Sequence, residues 1–101
     1  MNLPNLTGTE KQIEWANEIR NRLFRATSTV SIIAHIQNEA AAGRVTEADI
    51  DRILGKFGEL NEATIAKIIG DFFAAETSAA YWIESRHETS LTAKVCEAIF
   101  A

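Results

Sequence analysis

The run Gly8-Thr9-Glu10-Lys11-Gln12, followed at once by helix-spaced apolar residues, constrains this chain more than any other stretch of it. Thr9 belongs to the residue types that cap the free amides of a first helical turn. Gln12, three positions on, reaches back to the Thr9 amide, the reciprocal arrangement of a capping box. Glu10 falls at the positive end of the helix dipole, where a carboxylate is favoured. The spacing predicts a helix over 9–26 with Ile13, Ala16, Ile19, Leu23 and Phe24 facing a core. Glu14, Asn17, Arg22 and Arg25 face water, and Trp15 lies half buried beside the stripe.

Similar signals recur downstream. The β-branched stretch Thr27-Ser28-Thr29 weakens the helix and predicts a break or kink, with one long helix as the alternative. A helix over 30–42 would bury Val30, Ile33, Ala34 and Ile36 and end at Gly43. Thr46 reads as the next cap, with acids in the first turn and Val45 stapling to Ile50. That helix buries Ile50, Ile53, Leu54 and Phe57 and stops near Gly58. Asn61 caps again, Leu60 faces Ile65, and Ile65, Ile68, Ile69, Phe72 and Phe73 make the strongest core helix. Over 76–86 two readings stay open, a kink at Glu76 or a new helix capped by Thr77 or Ser78 and carrying Ala80, Tyr81, Trp82 and Ile83. Thr89 or Ser90 starts a last helix with Leu91, Val95, Cys96, Ile99 and Phe100 inward. Residues 1–8 read as an extended lead-in whose Leu3 and Leu6 pack on the bundle. Strand signals are almost absent and no repeat or linker interrupts the pattern. The expected fold is all-α, a single domain over 1–101 forming a compact bundle of five or six short helices.

Function classes are narrowed by charge and length. The 101 residues suffice for one core without disulfides or metal, and the lone Cys96 gives no sign of an oxidising compartment. No apolar run approaches the roughly 18 residues of a membrane span. Met1-Asn2-Leu3-Pro4 lacks the basic start of a signal peptide, so a cytoplasmic location is the default. A net charge of -4 argues against non-specific nucleic-acid binding. The imbalance lies in 43–88, where Arg44, Arg52, Lys56, Lys67 and Arg86 face nine acids, among them Glu47, Asp49, Asp51, Glu59 and Glu62. If the fold exposes this segment on one side, a basic partner is its complement.

Catalytic patterns are thin. Glu84-Ser85-Arg86-His87 has the Glu-x-x-His spacing of di-iron bundles, but no second copy completes a site. His35 is the only other histidine, so no metal and no cofactor are expected. Cys96 lies on an apolar helix face and reads as a small core residue rather than a nucleophile paired with His35 or His87. Gly-rich phosphate loops and nucleophile elbows are missing, so no enzyme activity is expected. Residues 46–70 have a helix-turn-helix outline, yet Lys67 is the only cation of the would-be recognition helix. Lys11, Arg20, Arg22 and Arg25 form a small basic patch that offers phosphate contacts; with Glu14 and Glu18 interleaved, it also reads as a salt-bridged face. Trp15 and Trp82 each precede an arginine, Arg20 and Arg86, which is interface hot-spot chemistry or simple core closure.

These two Trp/Arg segments carry a resemblance. Leu6-Thr7-Gly8-Thr9-Glu10-Lys11-Gln12 with Trp15-Ala16 and Ile19-Arg20 resembles a module of small proteins of bacteria, their phages and plasmids. In that group a later Ala-x-x-Trp-Ile-acid-x-Arg segment is common, and Ala79-Ala80-Tyr81-Trp82-Ile83-Glu84-Ser85-Arg86 is similar to it. The match covers about a fifth of the chain and none of 27–75. It implies a mobile-element origin and two segments that meet in the fold. Compact acidic proteins of that origin include anti-CRISPR and other anti-defence inhibitors, which occupy or mimic a nucleic-acid surface.

The resulting expectation is a non-enzymatic protein-binding module whose partner is a host protein or complex with a basic surface. The residues expected to touch it are Lys11, Trp15, Arg20, Glu47, Asp49, Asp51, Glu59, Glu62, Trp82 and Arg86. The alternative is a nucleic-acid-associated accessory protein using Lys11, Arg20, Arg22 and Arg25. Self-association is left open.

Overall fold

In a computed structural model of the protein, which describes residues 3–101, the capping signals become helix starts. Thr9 Oγ1 accepts the Gln12 amide at 3.3 Å while Gln12 Oε1 accepts the Thr9 amide at 3.0 Å, opening α1 (Glu10–Ala26). The break after α1 is real, because Ser28 and Ser31 form a second capping box that opens α2 (Thr29–Ala41). A third box, Thr46 with Asp49, opens α3 (Glu47–Phe57), and Asn61 caps α4 (Glu62–Ala75). Gly43 and Gly58 follow α2 and α3 at φ values of 80° and 84°, a left-handed exit that glycine makes without steric cost.

The fold is all-α, with six α-helices among the described residues. Of the two readings for 76–86, the new helix holds. Chain 76–78 turns extended, and α5 (Ala79–Glu84) begins afresh and runs into a 3-10 turn over Ser85–His87. Glu76 leaves the apolar stripe because it ends α4. Its carbonyl accepts the Trp82 indole N–H at 3.1 Å, and its carboxylate accepts the Ser78 amide. The last helix, α6 (Thr92–Phe100), starts later than Thr89 or Ser90, with Leu91 at the cap position. The Leu91 amide is instead satisfied by the buried Thr27 Oγ1 at 2.9 Å, which in turn donates to the Leu23 carbonyl. Thr27 thus ties the α1–α2 break to the start of α6.

A core of aliphatic and aromatic side chains runs through the bundle. Phe73 is its aromatic hub, edge-on to Phe24 (5.1 Å between centroids) and stacked on Trp82 (5.3 Å, 14°). The described part of the lead-in, residues 3–8, packs as expected, with Leu6 buried and Leu3 against the core; Met1 and Asn2 lie outside the described residues. Thr7 adds a parallel bridge to Ser78, through Thr7 N–H to the Thr77 carbonyl (2.8 Å) and Ala79 N–H to the Thr7 carbonyl (3.0 Å).

Two faces differ from the sequence expectation. On α2 the fully buried residue is Ile32, while Val30 is 68% exposed and Ala34 is also outward. The run Val30 to Ile36 is apolar on most sides, so its spacing fits several faces, and packing against α4 and α6 selects one. On α3 Ile53 is the fully buried residue, and Leu54 is 39% exposed rather than inward. This helix touches the bundle mainly through α6, at the edge of a molecule extending 46 × 24 × 20 Å.

Candidate functional site

The two Trp/Arg segments do meet, but only part of them reaches the surface. Helix α1 lies along α5, their most extensive helix contact, and Arg86 lies over the Trp15 ring at 5.8 Å from its centroid. Arg22 locks the 3-10 turn from the same side, donating to the carbonyls of Arg86 and Glu88 at 2.8 Å each. Trp82, expected at a binding surface, is fully buried against Phe73 and belongs to the core. Trp15 is the exposed tryptophan, near Lys11 and Glu14 in a shallow depression.

Arg20 is a second correction. It is 5% exposed, donating to the Pro4 carbonyl (2.8 Å) and Asn17 Oδ1 (3.0 Å), so it clasps the lead-in and presents no surface to a partner. Its Nε has no hydrogen-bond partner among the described residues, and burial pulls the guanidinium pKa below the ordinary value. With Arg20 internal and Arg22 bound to carbonyls, the expected basic patch reduces to Lys11 and Arg25. Fourteen positions apart on α1, these stand about 21 Å from each other at 1.5 Å per residue.

The middle segment divides into used and unused charge. Asp49 accepts from both the Thr46 amide (2.9 Å) and hydroxyl (3.0 Å), which, with Arg52 nearby, hold its carboxyl below the usual range. Arg44 hydrogen-bonds to and pairs with Glu39, lowering that carboxyl, with His35 3.7 Å away adding to the effect. Lys67 pairs with Asp71 at 2.8 Å and Lys94 with Glu88 at 3.9 Å. Glu47 and Asp51 on α3, Glu59 in the following turn and Glu62 at the start of α4 are exposed and have no cation partner among the described residues. One helical turn separates Glu47 from Asp51, placing both carboxylates on the same outer row.

Sequence reasoning did not anticipate the groove between α2, α3 and α6, about 590 Å³ in volume. His35, Glu39, Arg44, Arg52, Cys96 and Phe100 are among its lining residues. Arg52 donates across it to the Phe100 carbonyl at 2.8 Å. The groove gathers His35 and Cys96, and His87 lies outside it, in the 3-10 turn. Burial, then the charge of Glu39, pushes the Cys96 thiol up to about 11, so at neutral pH it is a protonated thiol and a poor nucleophile. The His35/Glu39 spacing of one turn was the visible hint; its link to Cys96 is made only by packing of α2 on α6. Among the described residues, no three His, Cys, Asp or Glu side chains converge as a metal ion requires.

No family model matches the chain, and no curated protein or solved structure matches it. Among the described residues no helix is long and apolar enough to cross a membrane.

Proposed function

We propose that this chain is a small protein-binding module without chemistry of its own, which engages a basic protein surface through the outer side of α3 and the start of α4. One observation carries the reading: Glu47, Asp51, Glu59 and Glu62 are exposed with no cation partner among the described residues, while of the neighbouring cations Arg44 and Arg52 are engaged within the fold and Lys56 lies over the Phe57 ring. Exposed carboxylates without cation partners on a small acidic protein steer it to a cationic partner and bar acidic ones. The resemblance of the Gly8–Arg20 and Ala79–Arg86 segments to mobile-element proteins supports placing that partner in a bacterial cytoplasm, in a defence complex such as CRISPR–Cas. Trp15 and Arg86 supply a second contact patch.

The test is capture from bacterial lysate with the tagged full-length chain at low salt, followed by a salt step. The reading expects a protein partner with a basic surface that elutes as salt rises. Recovery of no protein, or only of partners indifferent to salt, contradicts it.

A further inference from the structure

Between the last turn of α2 and the first turns of α3 lies a groove of about 420 Å³, lined by Ala40, Val45 and Ile50 and bordered by Glu47 and Asp51. Val45 and Ile50 are only half buried, and Leu54, one turn beyond Ile50, is 39% exposed. An apolar row along α3 therefore runs out of the groove without a covering. Glu47 and Asp51 beside it have no cation partner among the described residues, Arg52 being taken up by Asp49 and the Phe100 carbonyl and Arg44 by Glu39.

We propose that this groove seats a basic amphipathic helix of another protein, resting on the binding-module reading above and giving that surface a particular occupant. Charge complementarity argues for the basic rim, because Glu47 and Asp51 offer the local charge that the fold itself leaves unused. The rhythm argues for a helix. Ile50 and Leu54, and likewise Glu47 and Asp51, are each spaced by one turn, about 6 Å along the axis. A partner helix with aliphatic residues at i and i+4, and lysines or arginines on the adjoining row, matches both rows at once. One aliphatic side chain enters between Val45 and Ile50, a second covers Leu54, and the cations reach Glu47 and Asp51.

The experiment titrates isotope-labelled full-length protein at low salt with a synthetic peptide that folds as a helix, leucines on one face and lysines flanking. Backbone shifts are expected to cluster at Ala40, Val45, Ile50 and Leu54. Glu47→Gln with Asp51→Asn should weaken binding about tenfold, two surface charge pairs being worth roughly that much together. Leu54→Ser should weaken it too, with the free protein's spectrum otherwise unchanged, whereas Glu18→Gln with Glu84→Gln, exposed on α1 and α5, should leave it intact. Absence of binding overturns the proposal. So do shifts that cluster elsewhere, equal binding by the Glu47/Asp51 variant, or equal binding by a proline-interrupted peptide of the same composition. If the lysate partner is still captured, and Glu59→Gln with Glu62→Gln rather than the Glu47/Asp51 variant abolishes its capture, the groove proposal falls while the broader reading stands.

Discussion

The Arg86 guanidinium stands 5.8 Å from the centroid of the Trp15 ring, and the Arg86 carbonyl accepts an N–H from Arg22 at 2.8 Å. Helix α1 thereby holds the turn that follows α5 at two points, once through a π face and once through a guanidinium. This pairing leaves Trp15 outside the core while Trp82 fills its centre.

The two tryptophans should behave differently when removed. Trp15→Ala forfeits an exposed cation–π contact and part of a ring surface, a cost of about 1 kcal/mol. Trp82→Ala leaves a cavity beside Phe73 and an unpaired Glu76 carbonyl, a cost of about 4 kcal/mol. Denaturant unfolding of both variants measures the difference. Fluorescence quenching by acrylamide in Trp15→Phe should show the remaining tryptophan protected.

Arg20 is internal, and its removal should release the lead-in. Arg20→Ala strands the Pro4 carbonyl and Asn17 side chain and costs about 2 kcal/mol. Arg20→Met, which fills the same space without a buried Nε lacking a partner, should cost less. Amide exchange at Thr7 and Ala79 reads the release directly, since both N–H groups are held by the bridge between the lead-in and α5.

Cys96 should react slowly with thiol reagents at neutral pH and faster only as pH approaches 11. The folded pKa lies above the ordinary value near 9, so the unfolded chain loses its thiol proton first as pH rises. Its contribution is complete below pH 9 and fades between 9 and 11, by an amount on the order of 2 kcal/mol. Unfolding curves for the wild type and Cys96→Ala should show the extra pH slope only in the wild type.

The Thr46/Asp49 box should govern the α3 start. Thr46→Ala is expected to cost about 1 kcal/mol. The lowered Asp49 pKa means that its contribution is present above the ordinary carboxylate range and is lost as pH falls through the folded value. Amide protection across Glu47–Phe57, taken relative to the intrinsic exchange rate at each pH, should therefore fall in acid, and at a higher pH in Thr46→Ala.

Features written within four residues of each other were legible from sequence. Thr9 with Gln12, Thr46 as a cap and Asn61 as a cap depend on one turn of backbone, and each forms as its residue types dictate. The α2 face was not legible, because Val30, Ile32 and Ile33 are all apolar and only contact with α4 and α6 ranks them. Arg20 looked like a surface cation because arginine usually is one; its burial depends on Pro4, sixteen residues away. The His35–Cys96 groove required knowing that α2 lies on α6, which no local pattern encodes. The acidic excess carried by Glu47, Asp51, Glu59 and Glu62 was readable from sequence, whereas their exposure and lack of cation partners depended on the packing of α3 and on where Arg44 and Arg52 turned.

The most direct measurement compares the wild type with the variant carrying Glu47→Gln, Asp51→Asn, Glu59→Gln and Glu62→Gln in affinity for the captured partner, at low and moderate salt. If the four carboxylates form the interface, the variant loses at least about tenfold in affinity at low salt and the remainder responds little to added salt. Equal affinity and an equal salt response in the two proteins would contradict the account.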